Sequence, residues 1–230
     1  MSKLSALALG LGLAITTAMT AIAAPTMSIQ VFDGATLIGS AINVSGGSAN
    51  VVASSSNFSS VMVGGQGFPD LALPDFSTQS LQAAKSSAGS PSPTTLTVKI
   101  TQQGITGYPA VSLANTFTGN TLTSNSNYTT FTIGNYVDAG NGAFATTTLL
   151  ASTSYSNLGL GSYSTGPIVK TVTPGAMWSE TTVYSITFTG QGSIQSSAQI
   201  IRVPEPMSMA LFGAGLLGLG MVRRSRKNTV

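Results

Sequence analysis

Residues 95–101 read TLTVKIT, and residues 184–189 read YSITFT. In both stretches an apolar side chain alternates with a polar one, and successive side chains of a β-strand point to opposite faces. The alternating apolar residues are Leu96, Val98, Ile100, Tyr184, Ile186 and Phe188. The pattern predicts two strands that each bury one face and expose the other.

Weaker copies of the same alternation recur along the chain. They lie at residues 27–31, near Val51, and at 61–63, 131–133, 144–149, 168–172 and 194–201. Turn-forming pairs such as Asp33-Gly34 and Pro174-Gly175 separate them. Residues 75–85 fit a short helix or a strand equally well. Many short strands with polar outer faces predict an all-β body, built as an antiparallel β-sandwich or a jelly roll.

The composition excludes most familiar catalytic and metal sites. The 230 residues include no cysteine and no histidine, which removes thiol nucleophiles, disulfides, imidazole bases and the usual zinc ligands. Between Pro25 and Pro204, four basic residues stand against five acidic ones, a net charge of −1. Nucleic-acid binding needs a clustered basic face, so we do not expect this protein to bind nucleic acid. We expect no catalytic residue, no metal and no cofactor.

The first 23 residues have the composition of a signal peptide. Lys3 precedes the apolar run at residues 4–15, and the small residues Ala21 and Ala23 come before Ala24. A charged start, a short apolar helix and a small-residue cleavage site are the three parts of a secretory leader. The sequence therefore predicts export through the Sec translocon and removal of the leader by signal peptidase after Ala23.

A second apolar segment follows the body. Val203-Pro204-Glu205-Pro206 is followed by the sixteen-residue run MSMALFGAGLLGLGMV at 207–222 and then by RRSRK. The prolines separate the run from the preceding strand, because neither has an N–H to donate. At 1.5 Å per residue a helix of this length spans about 24 Å, a marginal membrane crossing. The basic end acts as a stop-transfer signal by staying in the cytoplasm; its residues are Arg223, Arg224, Arg226 and Lys227.

The order of VPEP motif, Gly/Leu-rich span and basic cluster resembles the PEP-CTERM sorting domain of Gram-negative bacteria, over residues 203–227. The resemblance implies that the chain is a substrate of an exosortase, a membrane cysteine protease that cuts near the PEP motif. It also implies association of the released protein with extracellular polysaccharide and biofilm. Residues 136–144, YVDAGNGAF, and 184–192, YSITFTGQG, resemble the β domain that often precedes such tails.

These segments divide the chain into three parts. We expect a signal peptide at 1–23, a β-sandwich domain at 24–202, and a sorting tail at 203–230 that contains a transmembrane helix. The protein would be anchored transiently in the inner membrane and then released to the cell surface or the extracellular matrix. Its expected role is structural and not enzymatic.

Several residues suit alternative functions. Asp70 and Asp75 are the closest carboxylates in the body and could serve a glycoside hydrolase, although each follows a proline and fits a turn. Trp178 could be the centre of a sugar-stacking surface in a carbohydrate-binding module, although core packing suits it better. Oxygen atoms that could bind calcium belong to Asn135, Asp138 and Asn141, and glycosylation sequons begin at Asn43, Asn57 and Asn127.

Overall fold

The computed structural model describes residues 24–85, 93–122, 128–156 and 160–204, together with Ala214. Within these residues the chain forms thirteen strands. They are β1 (Thr26–Asp33), β2 (Thr36–Val44), β3 (Ser48–Ala53), β4 (Phe58–Gln66), β5 (Phe76–Lys85), β6 (Thr94–Thr106), β7 (Val111–Thr121), β8 (Tyr128–Asp138), β9 (Thr148–Ser156), β10 (Gly161–Ser164), β11 (Ile168–Val172), β12 (Met177–Phe188) and β13 (Gly192–Arg202).

The strands form two antiparallel sheets. The first sheet has the order β2-β1-β6-β12-β8-β9, and the second has the order β10-β7-β13-β5-β4-β3. Strand β11 also pairs with β7, beside β10. Between them the two sheets enclose one apolar core. The predicted antiparallel β-sandwich is confirmed.

The alternation seen in the sequence explains which faces are buried. In β6 and β12 the alternating apolar residues of both predicted strands are fully buried, whereas the polar residues between them lie on the outer face. The two strands are neighbours, and Val98 lies directly opposite Tyr184. They supply the centre of the first sheet and several of the largest fully buried side chains of the core.

The structure decides one alternative that the sequence left open and corrects two details of the predicted strands. Residues 75–85 form a strand and not a helix, since β5 covers Phe76–Lys85. The strand predicted at 144–149 was wrong over its first four residues: Phe144 has a positive φ of 59°, and β9 begins only at Thr148. Strands β2, β7 and β10 were not predicted: the apolar residues of β2 do not alternate regularly, β7 has polar or small residues at several inward positions, and β10 has only four residues.

Both predicted flanking helices lie almost wholly outside the described residues. Among the described residues, no helix combines the length and the hydropathy that a membrane crossing requires.

Candidate functional site

The junction between the sandwich and residues 203–206 is the part of the predicted sorting tail that the structure describes. Strand β13 places Arg202 opposite Leu113 of β7. One residue later, the Val203 N–H donates to the Ser112 carbonyl oxygen at 2.8 Å. Pro204 is exposed and has no N–H to donate, so strand pairing cannot continue through it.

Arg202 is held by two contacts outside its own sheet ladder. Its backbone N–H donates to Asp75 Oδ1 at 2.9 Å. Its guanidinium carbon lies 5.4 Å from the centre of the Tyr108 ring, within the range of a cation–π contact. The Tyr108 hydroxyl in turn donates to the Leu73 carbonyl oxygen. The loop at 67–75 and the loop at 107–110 therefore both fix the point where the body ends.

A cavity of about 300 Å³ lies beside this junction. Its lining residues are Tyr108, Ala110, Val111, Ser112, Arg202, Val203 and Pro204. It contains no carboxylate and no hydroxyl except those of Ser112 and Tyr108.

The remaining predicted sorting residues lie outside the described part. Val203 is half-buried and Pro204 exposed, whereas Glu205, Pro206 and the stop-transfer residues Arg223, Arg224, Arg226 and Lys227 are among the residues not described. Of the predicted signal-cleavage residues, Ala21 and Ala23 also lie outside, and Ala24 is exposed beside a buried Pro25.

The two carboxylates considered for glycoside hydrolysis make separate local contacts. Asp75 accepts the Arg202 N–H described above. Asp70 packs on Gly47, where an added Cβ would lie 2.7 Å from the Asp70 carboxyl carbon. Gly47 has a φ of +88°, so this close approach depends on glycine. Both residues thus stabilise the 67–75 loop.

The residues considered for calcium binding point to different partners. Asn135 is buried, donates to Asn115 Oδ1 at 3.1 Å and accepts from Thr182 Oγ1 at 2.8 Å. The Asp138 carboxylate accepts from the Thr147 hydroxyl and from the Gly142 N–H, and these bonds lower the pKa of Asp138. Within the described part of the chain, no three acidic, histidine or cysteine side chains are grouped as metal ligands.

The structure does not support a sugar-stacking surface centred on Trp178. Trp178, Tyr184 and Phe188 are fully buried, so they cannot present a flat aromatic face to a glycan. Core packing, the favoured interpretation of Trp178, agrees with this burial.

Glu180 is the notable residue that sequence reasoning missed. It is fully buried, and neither of its carboxyl oxygens has a hydrogen-bond partner among the described residues. Burial, assisted by the negative charge of Asp75, raises the pKa of Glu180 well above its ordinary value. The signal was present in the sequence, because Glu180 continues the inward alternation of Phe188, Ile186 and Tyr184 toward Trp178.

Comparison with known families identifies the segment that begins at this junction. Residues 202–227 match the PEP-CTERM protein-sorting motif, which confirms the resemblance seen in the sequence. No curated protein matches the chain. The motif implies an exported surface protein that is anchored in a membrane before an exosortase processes it. The chain thus carries a PEP-CTERM protein-sorting motif at residues 202–227, and the motif starts at Arg202, the last residue of the last strand.

Proposed function

We propose that this chain is a structural protein of the extracellular matrix, and that an exosortase releases it as an intact β-sandwich. The observation that carries the proposal is the position of the motif. Strand β13 ends at Arg202, and the sorting motif begins at that same residue. A cut near residues 203–206 would therefore remove the tail without breaking a strand.

The outer surface of the sandwich supports a structural role. Hydroxyl side chains pair across neighbouring strands, as in Ser112 with Thr171 at 2.8 Å and Thr118 with Ser197 at 2.7 Å. Thr132 pairs with Ser154 in the same manner at 3.1 Å. A surface dense in hydroxyls and poor in charge can exchange hydrogen bonds with polysaccharide hydroxyls. We propose extracellular polysaccharide as the partner of this surface.

In our proposal the sandwich body has no catalytic function. The chain lacks histidine and cysteine, so general acid–base chemistry would depend on its few carboxylates. Asp75 and Asp138 are engaged in local hydrogen bonds, and Glu180 is fully buried. The proposed route uses the Sec translocon, signal peptidase and an exosortase-like protease in that order.

Expression in a bacterium with and without its exosortase tests the proposal. We expect the protein in the matrix fraction of the parent strain, and a longer form in the inner membrane of the deletion strain. The matrix form should be released by enzymatic digestion of the polysaccharide. Equal secretion by the two strains would contradict the proposed route, and a matrix form indifferent to polysaccharide digestion would contradict the proposed partner.

A further inference from the structure

Both ends of the sandwich domain leave it on the same side. Strand β1 begins at Thr26, opposite Gln103 near the end of β6. Strand β13 ends at Arg202, opposite Leu113 near the start of β7. The short connection at 107–110 joins β6 to β7, so Thr26 and Arg202 lie at one end of the sandwich. We call this the exit end; it consists of Ala24–Thr26, Arg202–Pro204 and the loops at 45–47, 67–75, 107–110, 139–147 and 173–176.

The spacer between the sandwich and the apolar run is short. Residues 203–206 are the four residues between the end of β13 and the run at 207–222. Fully extended, four residues reach about 14 Å. The head-group region of one leaflet is itself about 5–8 Å thick. Even with a fully extended spacer, only about 6–9 Å can then separate the exit end from the outer edge of the head groups.

The exit end carries large apolar side chains that face outward. Phe68, in the loop at 67–75, is 38% exposed, and Met177, at the start of β12, is 39% exposed. Phe68 is held in place because its N–H donates to Gln102 Oε1 at 3.1 Å. Asp70, two residues along the same loop, is exposed, and a carboxylate is costly to take into hydrocarbon. This combination suits a contact at head-group depth and no deeper.

We propose that the exit end rests on the head-group region of the bilayer while the precursor is anchored, with Phe68 and Met177 as its contact residues. The inference rests on the proposed function, because it requires residues 207–222 to be anchored in a membrane. It adds the orientation of the body: the strands stand away from the surface, and the loops of the opposite end point into the periplasm. The protease must then reach residues 203–206 between the sandwich and the membrane.

Site-specific labels on the full chain test this orientation. The chain has no cysteine, so each single-cysteine variant carries one label. Phe68→Cys and Met177→Cys report on the exit end. Leu37→Cys and Leu122→Cys are matched controls at the opposite end, because both residues are apolar and 48% exposed. Strand β7, whose far end precedes Leu122, has eleven residues and is about 37 Å long.

The labelled chains are reconstituted into vesicles of phosphatidylethanolamine and phosphatidylglycerol that carry a nitroxide quencher on the head group. We expect the labels at positions 68 and 177 to lose fluorescence, and those at 37 and 122 to keep it. Co-flotation with the vesicles is measured on the same samples. Chains that float but show the same quenching at both ends, or quenching at neither, would overturn the orientation while leaving the anchoring intact. Chains that do not float would overturn both proposals.

Discussion

At the scale of single residues, two buried polar groups behave differently in the core. Asn135 has both a donor and an acceptor partner, Asn115 and Thr182, and thereby links the two sheets. Glu180 has no hydrogen-bond partner for either carboxyl oxygen among the described residues. A satisfied buried amide stabilises a unique packing, whereas an unsatisfied carboxylate opposes folding. Glu180 is therefore a site at which the native state is weakened.

Replacing Glu180 by Gln should stabilise the protein at neutral pH. The folded-state pKa of Glu180 is raised above its ordinary value of 4.5, so the folded state binds the proton more tightly than the unfolded state does. Stability from this group is fully present below that value and is lost as pH rises toward the folded-state pKa. We expect Glu180→Gln to gain about 1–3 kcal/mol at neutral pH and nearly nothing in acid.

Urea unfolding across a pH series measures this difference. Asp138→Asn is the matched control with the opposite sign, because the hydrogen bonds of Thr147 and Gly142 lower the pKa of Asp138. Loss of the Asp138 carboxylate should destabilise the protein at neutral pH, and the loss of stability should become smaller as pH falls. A Glu180→Gln variant whose stability follows the parent at every pH would refute the account of Glu180.

At the scale of elements, strands were predictable where apolar residues carry the alternation and were missed where other residues carry it. Strands β6 and β12 could be predicted directly from the sequence, because the inward residues of their alternating stretches are Leu, Val, Ile, Tyr and Phe. In β7 the inward positions include Asn115, Gly119 and Thr121, so its periodicity is weak in the sequence although its burial alternates. The junction contacts of Arg202 join distant loops, and no local pattern encodes them.

The strand assignment of β6 predicts a contrast between neighbouring substitutions. Val98 is fully buried, so Val98→Asp would bury a charge without a partner and should cost about 4 kcal/mol or more. Thr97 is half-buried on the opposite face, and Thr97→Asp should cost far less. Thermal unfolding of the two variants measures the contrast. Equal melting temperatures would mean that the two faces of β6 are wrongly assigned.

The end of β13 should control how fast the tail is cut. A protease binds an extended, unpaired segment, and the Asp75 carboxylate holds the Arg202 N–H in the folded body. Asp75→Ala removes that acceptor, so we expect the end of β13 to detach more easily and processing to become faster. Asp70→Ala is the control, since Asp70 lies in the same loop and contacts Gly47 instead. A pulse-chase experiment measures the rate at which precursor is converted to mature protein. Equal rates for the two variants would argue against control by this contact.

At the scale of the whole molecule, the chain combines a self-contained sandwich with a sorting segment that begins where the last strand ends. The sorting motif was predictable because its parts follow one another along the sequence and need no tertiary structure. The exit end was not predictable, because it depends on strand order. Both features fit our proposal of a precursor that is held at the membrane by one end and released without unfolding.

The basic cluster after the apolar run should affect processing and not folding. Replacing Arg223, Arg224, Arg226 and Lys227 by Gln removes the charges that keep this end in the cytoplasm. We expect precursor to accumulate, with less mature protein outside the cell. The melting temperature of the body should stay unchanged, because its strands end at Arg202. Normal processing of this variant would contradict the stop-transfer role.

The intact mass of the secreted protein is the decisive measurement for release by cleavage at the junction. We expect a species that begins at Ala24 and ends within residues 203–206, so that every strand from β1 to β13 is retained and the apolar run is absent. Exposure of that run to water would be strongly unfavourable, since apolar surface costs about 25 cal/mol per Å². A secreted species that still contains residues 207–230 would contradict release by cleavage at the junction.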